Sequence, residues 1–499
     1  MAINPFGELT PYFVYLLLTA TLGPLLFGYH LAELNAPQEV ITCAKKSIDA
    51  STFARVKSIL AAKTTASTGT LPQCIPMSPV EFGLVSSFLT LGGLIGALSA
   101  GPVTAKQGRL RAMIYSSIFA AIGPIFEAAA PNITVLTIGR FISGVGAGAA
   151  TVVVPIYISE ISPPHKRGFF GAFTQILTNC GILITQALGL FLSRGQLWRI
   201  ILAVGGAIAV VQAVGLVLGG QESPKWLAEN GQPSKGKSIL KKIRGDGPDI
   251  EDEMSSWNIS AGHQVDGEEE RLLGQPTNTN LNSSLGVFGV LQHPDTRPAV
   301  IAVVMIMVGQ QFTGINSIVM YGVGLLSDLL AANSAYLNVI VAGVNVIITT
   351  SCAPLSDRWG RKTCLLISIS GMGISSILLA IGIMQSIKIL SAISVVLFVA
   401  SFGFGLGPIP FILAAELVNT EAVGATQSWA LAANWIATFI VAQFFPLLNE
   451  KMGKGQVYFI FAAAAVVFGA FIAWRVPETR GRRDADEVWG RKKAPDLED

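Results

Sequence analysis

The chain has 499 residues, of which 51% are hydrophobic and 13% charged, and its formal net charge is +3. Soluble domains carry about 25% charged residues, so the composition is that of a membrane protein, and the near-neutral balance gives no reason to expect nucleic acid as a partner. Five cysteines are too few for a disulfide framework.

A transmembrane helix needs about 20 mainly apolar residues to cross a hydrocarbon core of roughly 30 Å. Twelve such segments follow one another, over 12–34, 82–101, 112–130, 134–158, 169–191, 198–219, 297–327, 335–355, 363–384, 389–417, 425–449 and 454–475. They predict an all-α membrane protein of 12 transmembrane helices. The N-terminus MAINPFGELT has no basic n-region and no evident small-residue cleavage site, so the first apolar run reads as span one rather than as a cleaved signal peptide. The connections KQGRLR (106–111), PPHKRG (163–168) and DRWGRK (357–362) and the tail RGRRDADEVWGRKK (480–493) are basic and alternate along the spans. Positive residues in short loops stay cytoplasmic, so both termini are expected in the cytosol, at the plasma membrane or the vacuolar membrane. Cys43 and Cys74 fall between spans one and two on the opposite side, where the compartment permits a disulfide. Asn132 in NIT is a candidate glycosylation site on that side, whereas the sequons at Asn258 and Asn282 face the cytosol.

After span six the chain becomes densely charged. KWLAENGQPSKGKSILKKIR (225–244) has the apolar spacing of short amphipathic helices, and an acidic, then polar, linker follows. The expected organisation is a six-helix half over 12–219, a cytosolic linker over 220–296, a second six-helix half over 297–475 and a cytosolic tail over 476–499. The halves repeat. Arg109 in GRLR maps to Arg361 in GRKT at an offset of 252, and Glu160 to Glu416 and Glu222 to Glu478 at an offset of 256. Two related halves are the build of transporters that rock about a central site.

Several amides lie inside apolar spans: Gln175, Gln186, Gln310, Gln311, Asn316, Asn345 and Asn434. An amide donates and accepts together, which matches a neutral, hydroxyl-rich ligand. The competing reading is interhelical hydrogen bonding, worth about 0.6 kcal/mol per contact. For Gln310, Gln311 and Asn316 the ligand reading is stronger, because a helix broken near Gly309 and Gly314 would bring several amides together at mid-membrane.

The motifs NAPQ (35–38), GR (139–140), VPxYxxE (154–160), RG (167–168), QESPKWL (221–227), GQQFTGIN (309–316), DRWGRK (357–362), GPIP (407–410) and PETRG (477–481) are each weak, but together in this order they are highly specific. The chain resembles the sugar porters of the major facilitator superfamily, which include the facilitative glucose transporters, over about residues 12–480. Within them it looks closest to a fungal branch marked by YHLAELNAPQ and GLGPIPF. The resemblance implies two six-helix halves and a sugar contacted by Gln175, Gln310, Gln311, Asn316, Asn345 and Asn434. It places Tyr321 at an outer aromatic gate, with Met320 where the family has a second tyrosine. Phe411 stands where a tryptophan normally covers the sugar, and Gly403 where facilitative transporters often have a glutamate. Trp435 is a candidate cavity wall.

The same resemblance puts His30 at the position that is aspartate in proton-coupled symporters, with Arg140 as that residue's partner. Glu33 is three residues on, on nearly the same helix face, and could pair with Arg140 or with protonated His30. Two readings stand: the pair takes up a proton during transport, or Glu33 only balances Arg140. Arg109, Glu160, Arg167, Glu222, Asp357, Arg361, Glu416 and Glu478 fall at cytoplasmic helix ends, where opposite charges could pair between halves when that side is closed. Ala105, Leu110 and Val423 depart from the family pattern, so this network is expected to be lopsided.

No nucleophile is paired with a base, no P-loop is present and the four histidines are scattered, so neither an enzyme, a cofactor nor a metal is expected. The expected partners are a sugar and the lipid bilayer, with a proton added in the coupled reading, and the chain is expected to be a monomer. The leading reading is a hexose carrier working by alternating access without coupling. The alternatives are a proton-coupled sugar symporter and a transporter-like sugar sensor, which a long cytosolic tail would mark; here only about 24 residues follow span twelve.

Overall fold

A computed structural model describes residues 10–44, 71–163, 166–245, 254, 289–330, 333–453, 455–482 and 485–490. The sequons at Asn258 and Asn282, most of the acidic and polar linker and the last nine residues lie outside them. Among the described residues the structure is helical, and twelve helices are long and apolar enough to cross a membrane. Spans one to six are Pro11–Ala32, Pro79–Gln107, Arg109–Ala128, Ile133–Ile161, Phe169–Leu192 and Trp198–Gly219. Spans seven to twelve are Arg297–Ser327, Ser334–Cys352, Arg361–Met384, Lys388–Glu416, Ala422–Met452 and Val457–Arg475. The chain is an integral, multi-pass membrane protein with two six-helix halves.

Local signals set the helix ends. Thr10 accepts from the Phe13 amide at 3.1 Å ahead of Pro11, and Ser78 and Glu81 form a capping box ahead of span two, each satisfying amides that a helix start leaves orphaned. Span two therefore begins before the apolar run at 82, and it continues to Gln107 because Gly108, at φ +92°, supplies the stop. Leu218, Val466, Ile389 and Trp474 are more than 70% exposed, the expected state of side chains that face lipid.

The internal repeat has a geometric counterpart. Gly108 and Gly360, at φ +92° and +96°, each begin a span, and a Cβ on either would sit 2.2 or 2.4 Å from an oxygen of Glu222 or Glu478. Only glycine meets both conditions, so each half uses the same turn to seat the same carboxylate against the start of its third helix.

Span seven breaks once. Its first helix, Arg297–Phe312, ends at Thr313, and Gly314 at φ +95° leads into Ile315–Leu330. The expected kink at Gly309 does not form, since that residue stays helical and buried against Phe468. Span ten is also broken, between Phe404 and Ile409, because Gly405 and Gly407 hold the helix only weakly and Pro408 has no N–H to donate to the ladder. Non-helical backbone at membrane depth is tolerated where protein or a cavity covers it. Here Gln310 Nε2 donates to the Leu406 carbonyl at 2.5 Å and the Gly407 carbonyl at 3.3 Å, so a side chain just ahead of the span-seven break satisfies the span-ten break.

Cys43 and Cys74 form a disulfide, with Cα atoms 5.3 Å apart. Residues 71–75 are held to the start of span six, where Trp198 Nε1 donates to the Gln73 carbonyl at 2.9 Å and Arg199 Nη2 to the Pro72 carbonyl at 3.0 Å. The Asn132 side chain caps span four by accepting from the Val135 amide at 3.0 Å.

Candidate functional site

A cavity of about 100 Å³ lies between the halves. All seven residues that the resemblance places on the sugar line it: Gln175, Gln310, Gln311, Asn316, Asn345, Phe411 and Asn434. The span-seven break turns Asn316 back toward Gln311, so that Asn316 Nδ2 donates to Gln311 Oε1 at 2.6 Å. Gln311 Nε2 donates to Gln310 Oε1 at 3.1 Å, and Asn434 Nδ2 donates to that same oxygen at 2.6 Å. One row of amides thus runs from span seven to span eleven.

A second group faces it. Asn179 Oδ1 accepts from Gln175 Nε2 at 3.2 Å and from Asn345 Nδ2 at 3.3 Å, while Asn179 Nδ2 donates to Thr349 Oγ1 at 3.0 Å. Asn179 is the cavity amide that sequence reasoning missed, although it stands one helical turn after Gln175. It joins span five of the first half to span eight of the second. Gly403 makes room for this: a Cβ there would stand 2.9 Å from Asn345 Oδ1 and 3.1 Å from Thr349 Oγ1. Phe27 and Trp435 form the apolar wall, edge to face at 5.4 Å. Trp435 fits only because Gly93 has no side chain, since a Cβ there would meet the indole at 2.3 Å.

Tyr321 is not on the cavity. It is buried, donates to the Ala442 carbonyl at 2.6 Å and stacks on Phe445 with Phe82 at its edge. In this conformation it belongs to a plug between the halves on the side of the disulfide. Asn35 of NAPQ completes that closure: its Nδ2 donates to the Val319 carbonyl at 2.8 Å and its Oδ1 accepts from the Val323 amide at 2.9 Å. On the opposite side Phe411 lines the cavity and is 41% exposed.

The charged helix ends form two matching clusters. Arg109 donates to both oxygens of Glu160 at 2.7 and 2.8 Å, and its amide donates to Glu222 at 2.7 Å. Arg361 donates to Glu416 at 2.9 Å, and its amide donates to Glu478 at 2.8 Å. Each of these pairs joins groups of one half or of the segment that directly follows it, whereas pairing between halves was expected only with this side closed. Burial raises the Glu222 carboxyl above its ordinary range although the Ser223, Arg109 and Leu110 amides favour its ionised form. Arg167 begins the helix of span five and is exposed, and Asp357 lies in the last turn of the helix Asn333–Trp359.

His30, Glu33 and Arg140 come together as expected, all at most 1% exposed. His30 Nδ1 lies 3.1 and 3.2 Å from the two Glu33 oxygens, and Arg140 Nη1 donates to Glu33 Oε1 and to the His30 carbonyl, the latter at 2.8 Å. A fourth member was not anticipated. Glu127 of span three is fully buried, with Oε2 4.0 Å from Arg140 Nη1. Its signal was a carboxylate inside an apolar span, which is a functional candidate by default.

Residues 16–487 match the family model described as sugar (and other) transporter. The chain is 33% identical over 473 residues to the probable metabolite transport protein YBR241C of Saccharomyces cerevisiae, covering 95% of this chain and 94% of that one. It is 28% identical over 504 residues to the pig facilitated glucose transporter member 2 of solute carrier family 2, covering 95% and 93%. Among solved structures, the inward open conformation of the xylose transporter XylE from E. coli matches with a TM-score of 0.73 at 23% identity, over 96% of this chain and 99% of that one. The fold, the family model and these relatives agree: the chain belongs to the sugar (and other) transporter family, the sugar porters of the major facilitator superfamily, whose members are membrane carriers rather than enzymes.

Proposed function

We propose that this protein carries a monosaccharide, a hexose first, across its membrane by alternating access. The observation that carries the reading is the row of amides Asn316, Gln311, Gln310 and Asn434 at the meeting point of two broken helices. Free amide donors and acceptors suit sugar hydroxyls, which also do both. Phe411 and Trp435 offer apolar faces for the ring, as the pyranose C–H edge requires. The names of the relatives, a facilitated glucose transporter and a xylose transporter, support the substrate class. The proposed orientation puts both termini in the cytosol, at the plasma membrane or the vacuolar membrane, with one chain sufficient. The test is uptake of radiolabelled hexoses and pentoses by purified protein in liposomes. Saturable D-glucose uptake competed by other hexoses is expected; no sugar uptake at any concentration would sink the reading in favour of a sensor.

The leading mode is facilitated diffusion. Coupling to protons is a second reading, favoured by the buried cluster around Arg140, where two carboxyls share one guanidinium. An imposed pH gradient at fixed sugar concentration separates the two. Uphill accumulation driven by protons would rule out the uncoupled mode, and Glu33→Gln should abolish that accumulation.

A further inference from the structure

Spans one, three and four bury His30, Glu33, Glu127 and Arg140 against one another, each at most 1% exposed. Two ionised carboxylates against one guanidinium would leave a net negative charge in a fully buried cluster, and a buried unpaired charge neutralises rather than persists. The cluster therefore holds a proton on Glu33, His30 or Glu127.

The contacts distinguish the three. Glu33 accepts from Arg140 and faces His30 Nδ1 with both oxygens, which favours its ionised form. His30 Nε2 has no hydrogen-bond partner among the described residues, and Gly205 packs at the ring edge, where a Cβ would lie 2.9 Å from Cε1. An imidazolium would bury a charged N–H there without an acceptor, so His30 is neutral with its proton on Nδ1 toward Glu33. Glu127 has one oxygen that accepts from Ser143 Oγ at 2.5 Å, while the other meets no donor among the described residues, stands 4.0 Å from the guanidinium and lies within hydrogen-bond reach of the Glu33 carboxyl, a contact that needs a proton on one of the two carboxyls. The remaining ionisable groups packed around the cluster are engaged elsewhere. Tyr29 donates to the Ile201 carbonyl, Tyr321 to the Ala442 carbonyl, and Arg199 to the Ala128 and Ala130 carbonyls.

We infer that Glu127 is the proton-holding residue of this cluster, a neutral carboxylic acid while the disulfide side is closed. Glu33 lies two residues before Asn35, whose bonds to span seven close that side. Opening breaks those bonds and admits water to the cluster; the Glu127 O–H bond then breaks, its proton passes to water, and the carboxylate is left hydrated beside Arg140.

The test has two arms, and only the second rests on the proposed sugar transport. In the first, infrared spectra of the purified full-length protein are recorded from acid to alkaline pH. The wild type should show the C=O band of a buried carboxylic acid, retained in His30→Gln and lost in Glu127→Gln. Should Glu127→Gln fail to fold, Glu127→Asp should shift the band. Absence of the band from the wild type, its persistence in Glu127→Gln, or its indifference to Glu127→Asp would overturn the assignment. In the second arm, D-glucose exchange across liposomes is followed over the same pH range. Glu127→Gln, a permanent mimic of the protonated form, should flatten the profile; an unchanged wild-type profile would overturn the release step. If the wild type exchanges no sugar, the carrier reading fails while the infrared arm still decides the proton's position.

Discussion

Single side chains in this protein do two jobs that can be measured separately. Gln310 lines the cavity and also holds the Leu406 and Gly407 carbonyls of the span-ten break, whereas Asn434 lines the cavity and donates to Gln310. A buried polar group left without its partner costs about 1–3 kcal/mol. Asn434→Ala should therefore raise the half-saturating sugar concentration about tenfold with little change in thermal unfolding. Gln310→Ala should do the same and also lower the unfolding temperature, because two carbonyls lose their donor; equal unfolding temperatures for the two variants would contradict the second role. Glu33→Gln should cost stability as well. Removing one partner of a buried ion pair costs about 3–5 kcal/mol, less whatever Glu127 recovers by ionising toward Arg140. Thermal unfolding of the purified variant measures this. The amide residues were legible in the sequence because polar side chains stand out in apolar helices. Glu127 was overshadowed because the motif pattern drew attention to spans one and four, and no spacing rule links positions 33, 127 and 140 before the helices pack.

At the scale of elements, glycine decides where the site is built. Gly314 sits at φ +95°, and a Cβ there would meet the Phe461 ring at 2.3 Å. A left-handed backbone costs an L-residue about 1–2 kcal/mol, and the clash with Phe461 adds to it. Gly314→Ala should thus lower thermal stability and abolish sugar exchange, since straightening span seven moves Asn316 away from Gln311. Gly343→Ala, where a methyl would meet nothing within 4 Å, is the control and should be neutral or slightly stabilising. Loss of function in the control rather than in Gly314→Ala would refute the break as the organising feature. The twelve spans could be read from apolar length alone, because lipid imposes that length. Their ends could not, because caps such as Ser78 with Glu81 lie outside the apolar run. The break in span ten was likewise hidden inside a continuous apolar stretch.

For the molecule as a whole, the described contacts between halves are unevenly distributed, and that asymmetry defines the conformation. Asn35 makes two bonds shorter than 3 Å to the backbone of span seven, Ser87 Oγ donates to Gln443 Oε1 at 2.8 Å, and Tyr321 fills the space between Phe82 and Phe445. All of these lie on the disulfide side, while at the other end Arg109 and Arg361 each pair with a carboxylate of their own half. Each net hydrogen bond contributes about 0.5–1.5 kcal/mol, so the pair made by Asn35 biases the two-state balance by about 1–3 kcal/mol, or roughly 5- to 150-fold in population. Asn35→Ala removes that bias without touching the cavity. It should shift the protein toward the form open on the disulfide side, seen as a longer distance between spin labels placed near Ser78 and near Glu450. The same variant should leave the distance between labels at Lys225 and Lys235 unchanged, since both belong to the linker of one half. An Asn35→Ala protein with wild-type label distances would mean that apolar packing around Tyr321 alone holds this side shut, and Tyr321→Ala would then be the variant that opens it.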